Sequence, residues 1–230
     1  MKNLALKSYS FLLVFFSVFY LTAQEELPKG LTDIERELLP QFQFNSHRVI
    51  SDPPEGPVRA AAEWEEVEYL VIRWTNAYQN ILRQIVEVGI QECKVIITTQ
   101  NESSVVSYLT NQGVDLTNVE FLNTGSNSIW IRDYGGNTIY SDDVGERALT
   151  DWIYNRPRPL DDIMPTQHAT MVGMPIYVTD TGTNDLVNTG GNYMSDGLGN
   201  AFASNLILEE NEPGNPYNVS AKTEEEIDAI

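Results

Sequence analysis

Residues 129–136 read Ile-Trp-Ile-Arg-Asp-Tyr-Gly-Gly, and the interpretation of the chain starts from them. The isoleucines alternate with Trp130 and Arg132, which predicts a strand with an aromatic ring and a charge on one face. Asp133 follows where that strand would end, and the two glycines allow the backbone to approach a ligand closely. A carboxylate accepts two parallel N–H bonds from a guanidinium, and an aromatic ring stacks on its face. The stretch therefore predicts a binding site for a planar cation.

The first 23 residues have the layout of a secretory signal peptide. Residues 1–7 carry two lysines, residues 11–21 are almost wholly apolar, and small residues precede Gln24. The apolar run has the length of a signal sequence and is short for a membrane span, although an uncleaved anchor is the alternative. We therefore expect a signal peptide at 1–23, a secreted or periplasmic protein, and no membrane association beyond export.

The remainder of the chain is strongly acidic. Of the 14 lysines and arginines, Lys2 and Lys7 fall in the signal segment, which leaves 12 basic residues against 33 acidic ones and a net charge of about −21. Such a surface argues against nucleic acid and anionic membranes as partners, and it attracts cationic substrates. Solubility alone would also explain the charge, so it restricts the function without identifying it.

The chain offers few residues for thiol or metal chemistry. Cys93, the single cysteine, precedes a β-branched run and is expected to be a buried structural thiol rather than a nucleophile. No disulfide can form within the chain. His47 and His168 are isolated in the sequence, and no spacing of metal ligands occurs. We expect neither a metal nor a cofactor.

Alternating strands and helices predict an α/β domain at residues 51–230. We predict strands at 69–74, 94–99, 119–122, 128–140 and 175–179, helices at 76–89 and 104–112, and a loop at 209–219. Ser103 and Ser104 are expected to cap the second helix. Residues 24–50 are acidic and mixed, so we predict a linker or pro-segment with a short helix at 32–39.

Residues 155–162 read Asn-Arg-Pro-Arg-Pro-Leu-Asp-Asp and are expected to form an exposed loop. The prolines hold the chain extended, which places Arg156 and Arg158 on the same side. Two guanidinium groups on one side of a stiffened loop predict a fork for a carboxylate. The local alternative is that the arginines pair with Asp161 and Asp162, and the loop residues alone slightly favour it.

Four glycines punctuate residues 187–204, where two short strands are predicted. One interpretation is a β-hairpin with its turn at Asp196-Gly197. The sharper interpretation is that Gly190-Gly191 bring the backbone and Asn192 close to a ligand, which would make Asn192 a substrate-binding residue. The spacing does not match a phosphate-binding loop.

Three of these stretches, in this order and spacing, resemble one family. They are residues 130–135, 154–162 and 190–197. Together they resemble the bacterial peptidylarginine deiminase and agmatine deiminase family of guanidino-group-modifying enzymes. The arginine pair brings the chain closest to the secreted, Porphyromonas-type peptidylarginine deiminases. The resemblance covers roughly residues 50–212.

The resemblance implies a fold, a reaction and a set of roles. The fold is the pentein α/β propeller, five ββαβ units around a pseudo-fivefold axis. The reaction converts peptidyl or C-terminal arginine to citrulline: a cysteine thiolate attacks the guanidino carbon, ammonia leaves and water releases the product, while a histidine acts as acid/base. Asp133 would be one of two catalytic carboxylates that hold the cation, and Trp130 would line the substrate channel. Arg156 and Arg158 would bind the carboxylate of a C-terminal arginine, which reverses the preference for a solvated loop.

The chain departs from the family pattern at the two reacting groups. The family's histidine lies in a His-x-Asp or His-x-Glu motif, whereas His168 has no acid two residues on. Cys93 lies too early for a nucleophile that the family carries near its C-terminus. We therefore expect a C-terminally truncated member that is inactive by itself, with residues 51–230 forming the N-terminal portion of the deiminase domain and a partial propeller.

Two alternatives remain for the function. The first is agmatine deiminase, which makes N-carbamoylputrescine for polyamine synthesis. It is disfavoured by Asn127-Ser128 and Gly136, where agmatine-type members usually carry an acid and a proline. The second is a non-catalytic exported module that binds arginine-terminated peptides. In each case the expected partner is an arginine-containing peptide or a small guanidino compound.

Overall fold

The structure, a computed structural model, describes residues 26–44, 57–141, 146–179, 184–217 and 219–230. The predicted signal peptide at 1–23 lies outside these ranges, as do residues 45–50 of the predicted linker or pro-segment. Within the described ranges, no helix is both long enough and apolar enough to cross a membrane.

The elements alternate along the chain as the sequence predicts for an α/β fold. The strands are β1 (Val58–Ala60), β2 (Tyr69–Arg73), β3 (Lys94–Thr99), β4 (Val119–Asn123), β5 (Asn137–Ser141), β6 (Glu146–Tyr154), β7 (Ile176–Thr179), β8 (Val187–Asn188), β9 (Tyr193–Ser195) and β10 (Ala201–Ala203). The helices are α1 (Asp33–Leu38), α2 (Gln79–Gly89), α3 (Glu102–Asn111), α4 (Ile131–Tyr134), α5 (Pro159–Asp162), α6 (Met164–Val172), α7 (Leu206–Asn211) and α8 (Glu224–Asp228).

A parallel sheet in the order β2-β3-β4 forms the first half of the domain, with α2 and α3 as the crossovers between its strands. The predicted strands at 69–74, 94–99 and 119–122 are confirmed to within a residue. Helix α3 begins two residues earlier than predicted, because the side chain of Asn101 caps it by accepting from the Ser104 amide at 3.2 Å. The predicted serine cap is therefore wrong.

The core of this half packs apolar side chains from the sheet against both helices. Burial of β-branched and aromatic side chains on both sides of a central strand is typical of parallel sheets. The buried members are Ile72, Trp74, Val86, Val95, Ile97, Val105, Leu109 and Val114.

The second sheet contains one complete ββαβ unit. Strands β5 and β6 pair antiparallel, helix α6 follows, and β7 returns parallel to β6. Strand β1 extends this sheet on the β5 edge, and β8 pairs with the end of β6 beyond β7. Helix α6 was not predicted from the sequence, where only the loop at 155–162 was expected in this region.

Residues 129–136 do not form the predicted strand. Ile131–Tyr134 is a short helix, α4, and the Tyr134 amide donates to the Trp130 carbonyl at 3.3 Å. The Trp130 and Tyr134 side chains lie four residues apart, so a helical turn places both on one face, where they pack with Tyr154 and Met164. Helical spacing thus overrides the period-two pattern, and the strand begins only at β5.

The C-terminal elements correct one prediction and confirm another. Part of the predicted loop at 209–219 lies in helix α7, and the last helix, α8, is capped by Thr223 through a capping box with Glu226. The predicted hairpin is confirmed as the antiparallel pair β9–β10. Its turn includes Gly197 at φ 71°, a left-handed conformation that favours glycine.

Residues 26–44, which we call the N-terminal segment, pack against the domain. The predicted helix at 32–39 is confirmed as α1, and a capping box between Thr32 and Glu35 begins it. Leu39 is buried in a small cluster with Ile153, Val187 and Tyr217. This contact anchors the N-terminal segment on the second sheet.

His168 links the two halves of the domain. It lies on α6, is buried, and its Nε2 atom is 3.1 Å from the hydroxyl of Thr98 on β3. Burial lowers the pKa of His168 to about 4, so the ring is neutral at physiological pH. Its environment is that of a structural histidine.

We expect His168 to make the domain less stable in weak acid. Between pH 6.5 and about 4, His168 binds a proton in the unfolded chain but not in the folded one. As the pH is lowered through this range, the free energy of unfolding therefore decreases by up to about 3 kcal/mol. His168→Gln should remove this component while keeping a polar partner for Thr98. Urea unfolding of both proteins at several pH values measures it, and comparing the two proteins cancels the other titrating groups. Equal slopes would contradict the assignment.

Candidate active site

Asp133 lies on helix α4 and is only 4% exposed. The Thr189 hydroxyl lies 3.1 Å from its backbone carbonyl and 3.2 Å from Oδ1, and it can donate to either oxygen. The ammonium of Lys29, from the N-terminal segment, is 3.6 Å from the same Oδ1. A buried carboxylate with one positively charged neighbour is a competent cation site.

Gly190 and Gly191 fit against α4 because neither has a side chain. A Cβ at Gly190 would collide with the Arg132 carbonyl, and one at Gly191 would collide with the Asp133 carboxylate. The glycine pair therefore brings the backbone against Asp133, and the Lys29 ammonium would lie 3.6 Å from a Cβ at Gly191.

Asn192 follows the glycine pair and supports the hairpin. Its Oδ1 accepts from the Ser204 amide at 3.0 Å and from the Ser204 hydroxyl at 2.6 Å. Its amide nitrogen is buried with no hydrogen-bond partner among the described residues. One face of this side chain is thus used structurally, and the substrate-binding role stays a prediction.

Trp130 stands at the start of α4, half-buried, and its indole N–H donates to the Leu27 carbonyl at 2.8 Å. Its ring packs against the cluster of Tyr134, Tyr154 and Met164. The indole N–H of Trp130 therefore contacts the N-terminal segment, while its ring packs on the buried aromatic cluster.

Arg158 is buried, which corrects the expectation of an exposed loop. Its side chain is 1% exposed, and its Nε and Nη2 atoms donate to the two carboxylate oxygens of Glu35 at 2.7 and 3.1 Å. Nη2 also donates to the carbonyls of Pro28 and Gly30. The loop is covered because the N-terminal segment supplies both the counter-charge and the acceptors that a buried guanidinium requires.

Arg156 faces the same segment. Its Nε donates to the Lys29 carbonyl at 3.0 Å, and one terminal nitrogen donates to the Asn155 carbonyl at 2.7 Å. Four predicted site residues thus contact residues 27–30, which brings them together around one stretch of peptide. They are Trp130, Asp133, Arg156 and Arg158.

Asp161 positions the loop before Trp130 rather than pairing with the arginine fork. Its carboxylate accepts from the amides of Asn127 and Ser128 at 2.7 and 3.1 Å and from the Ser128 hydroxyl at 2.7 Å. Burial raises the pKa of Asp161 despite these bonds. The local alternative, in which Arg158 takes Asp161 as its hydrogen-bonded partner, is wrong, because Arg158 takes Glu35.

A further buried carboxyl, which was not predicted from the sequence, supports the start of the loop at residues 155–162. Glu210 on α7 accepts from the Asn155 amide at 2.6 Å and from the Tyr217 hydroxyl at 3.0 Å. Burial raises the pKa of Glu210. Asn155 lies 55 positions from Glu210 in the sequence, so no local motif predicts the contact.

Cys93 and His168 do not join this constellation. Cys93 is half-buried at the N-terminal end of β3, whereas α4 follows the C-terminal end of β4, the opposite edge of the parallel sheet. His168 bonds Thr98 in the interior. In the part of the chain that the structure describes, no cluster of three or more potential metal ligands occurs. The arrangement can hold and orient a cation, but it brings neither thiol nor imidazole to Asp133.

We expect Gly190→Ala to destabilise the fold and Gly30→Ala to leave it nearly unchanged. The first methyl group would meet a backbone carbonyl, whereas the second meets nothing within 4 Å and needs no left-handed backbone. Overpacking typically costs about 1–3 kcal/mol, which lowers the melting temperature by roughly 2–10 °C for a domain of this size. Thermal melts followed by circular dichroism measure both variants, and equal melting temperatures would contradict the close approach.

The model of the Porphyromonas-type peptidyl-arginine deiminase family matches residues 59–230 of this chain. Solved structures with the same fold include an agmatine deiminase from C. jejuni, at 24% identity and a TM-score of 0.54 over 67% of this chain and 48% of that one. A C. jejuni agmatine deiminase variant with substrate bound matches at 20% identity and a TM-score of 0.58, over 78% and 54% of the two chains.

A Porphyromonas gingivalis protein assigned as an arginine deiminase matches at 15% identity and a TM-score of 0.59, over 75% of this chain and 53% of that one. The chain thus spans about half the length of these structures, and its fold is a partial pentein-type α/β propeller, as predicted. Because the family model covers almost all of the domain, the chain belongs to the Porphyromonas-type peptidyl-arginine deiminase family.

Proposed function

We propose that this chain carries the cation-holding part of a hydrolase that converts the guanidino group of peptidyl or C-terminal arginine to a ureido group. One water is consumed and one ammonia is released for each citrulline formed. The nucleophilic thiol and the acid/base imidazole would come from residues beyond the 230 of this chain. Family membership and a length of about half that of the matched structures support this division.

One observation carries the proposal. The peptide at residues 27–30 runs past Trp130, Asp133, Arg156 and Arg158, with a cationic side chain at the carboxylate. Four side chains from two separate motifs therefore contact a single stretch of peptide. A peptide substrate with arginine in place of Lys29 would meet the same groups.

Each residue has a defined task in the proposed reaction. Asp133, fixed by the Thr189 hydroxyl, accepts N–H bonds from the guanidinium and orients its central carbon for attack. Trp130 walls the space beside the cation, where a ring face favours a planar charge. Arg156 and Arg158 supply positive charge for a substrate carboxylate. Neither Cys93 nor His168 is placed to act on a group held at Asp133.

Arg156 and Arg158 favour an arginine substrate over agmatine. Agmatine has no carboxylate, so it would leave a pair of guanidinium groups beside the site without a function. Both arginines donate to the same peptide segment that reaches Asp133, which supports recognition of a backbone or a terminal carboxylate together with the cation.

We expect Arg156→Ala to lower the preference for an arginine-terminated peptide. A hydrogen bond to a charged group contributes about 1.5–3 kcal/mol, so the ratio of affinities for glycyl-arginine and agmatine should fall by roughly tenfold or more. Calorimetric titration with both ligands measures the ratio, which cancels any effect shared by the two. Arg83→Ala, which removes only an ion pair with Glu87 along α2, is the matched control. An unchanged ratio in Arg156→Ala would favour agmatine or another guanidine.

Asp133→Asn should abolish most of the activity of the protein expressed with the reading frame that follows Ile230. Loss of the charged acceptor lowers kcat/KM by roughly 10- to 100-fold, while the amide keeps the shape and a contact for Thr189. Citrulline and ammonia release from glycyl-arginine are measured together and should be equimolar. Asp228→Asn, exposed on α8, is the control. Peptide binding without citrulline in the extended protein would instead support the non-catalytic module.

The proposed setting is extracytoplasmic. The basic and apolar layout of residues 1–23 and the small residues before Gln24 support export to the periplasm or the medium. The acidic surface suits a protein that meets cationic peptides there. Cell fractionation of the native producer with an antibody to the domain tests the location, and a cytoplasmic protein that retains residues 1–23 would contradict it.

A further inference from the structure

The N-terminal segment lies outside the residues that match the family model, which begin at 59, yet it covers the candidate site. Its backbone carbonyls from Leu27 to Gly30 accept from Trp130, Arg156 and Arg158. The cover is therefore formed by residues that the family model does not match.

The two charged side chains of the segment match the two charges of the site. Lys29 places an ammonium 3.6 Å from the Asp133 carboxylate, where the proposed function places a guanidinium. Glu35 places a carboxylate in a two-point contact with Arg158, where the proposed function places the carboxylate of the substrate. The segment thus places a cation at Asp133 and a carboxylate at Arg158, the two charged groups of the site.

We propose that the N-terminal segment is an intramolecular occupant of the substrate site, which an arginine-terminated peptide must displace in order to bind. The inference rests on the proposed function, because it identifies Asp133 and Arg158 as the groups that hold the substrate. It assigns Lys29 and Glu35 as the residues that imitate the substrate's cation and carboxylate.

Lysine suits an occupant that is not consumed. Its ammonium nitrogen is bonded to a single carbon, so there is no guanidino carbon for a thiolate to attack. The Lys29 side chain is 59% exposed and meets Asp133 at one oxygen, so its contact is weak compared with the two parallel bonds of a guanidinium. Leu39, buried with Ile153 and Tyr217, keeps the segment attached when the charged contacts are broken.

The test compares the chain with its Lys29→Ala/Glu35→Gln variant. Calorimetric titration with glycyl-arginine gives the affinity, and the apparent affinity of a blocked site rises as the open fraction rises. We expect the variant to bind at least roughly tenfold more tightly than the unaltered chain. Lys94→Ala and Glu37→Gln are matched controls, because Lys94 pairs with Glu120 at the start of β3 and Glu37 is exposed on α1; both should bind like the unaltered chain.

A second measurement follows the segment itself and uses the unaltered chain, so it does not depend on the variant folding. The Arg36 amide donates to the Thr32 carbonyl at 3.0 Å in α1, and hydrogen exchange at this amide reports whether the helix is docked. Saturating glycyl-arginine should accelerate exchange at Arg36 at least tenfold while protection in β3 is retained.

The outcomes separate this inference from the proposed function. Tight binding of glycyl-arginine with unchanged Arg36 exchange and no gain in the variant would overturn the occupancy and leave the guanidino site intact. Accelerated exchange in the variant, with no binding of glycyl-arginine to either protein, would instead overturn the proposed function. Tighter binding by the variant together with ligand-accelerated exchange in the unaltered chain supports both.

Discussion

The close approach of residues 189–191 to helix α4 is the constraint on which the site depends. Helix α4 follows the parallel sheet, and residues 189–191 follow β8 at the edge of the other sheet, so their contact joins the two halves of the domain at Asp133. There is no room for a Cβ on either glycine, and the Thr189 hydroxyl is bonded to the aspartate. The carboxylate is consequently held in place before any ligand arrives, which lowers the ordering cost of binding.

The charges around this contact are poorly hydrated, and most of them are matched by partners within hydrogen-bonding distance. Arg158 has Glu35, while Asp161 has two backbone amides and a hydroxyl. Burial alone would raise the pKa of Glu35, but its bonds to Arg158 and Thr32 outweigh burial, and the pKa lies below its ordinary value. Removing one member of such a pair leaves the other charge buried without compensation, which commonly costs about 3–5 kcal/mol. The site therefore needs an occupant at Arg158, whether Glu35 or another carboxylate.

The sequence predicts those elements whose local pattern and burial agree. The β-branched run of β3 and the Asp196-Gly197 turn are examples, because propensity, periodicity and turn chemistry point the same way there. The strand predicted at residues 129–136 is wrong because the pattern fits two structures. Positions 130, 132 and 134 fit a strand of period two, while positions 130 and 134 also fit one turn of helix. Only packing against Tyr154 decides between the two.

The candidate site residues were chosen for their chemistry, whereas the residues that contact them could not be predicted from the sequence. Trp130, Asp133 and Arg156 stand in short motifs whose composition is unusual for a core. The residues that complete them, Leu27 and Glu35, lie 103 and 123 positions away from Trp130 and Arg158, in a region without a distinctive pattern. Hydrogen bonds of that sequence separation depend on tertiary packing, here on Leu39 and its cluster, and no local rule encodes them.

The two charged contacts of the N-terminal segment, made by Lys29 and Glu35, differ in strength. The Glu35 carboxylate is bonded at two points to Arg158, whose side chain is 1% exposed. The Lys29 side chain is largely exposed and has a single contact with Asp133. Ion pairs open to water are screened and contribute little, whereas buried ones resist separation. In the proposed exchange, an incoming arginine therefore displaces Lys29 from Asp133 first, and its carboxylate replaces Glu35 only once the cation is seated. This order would make the guanidinium, rather than the terminal carboxylate, the group that selects the ligand.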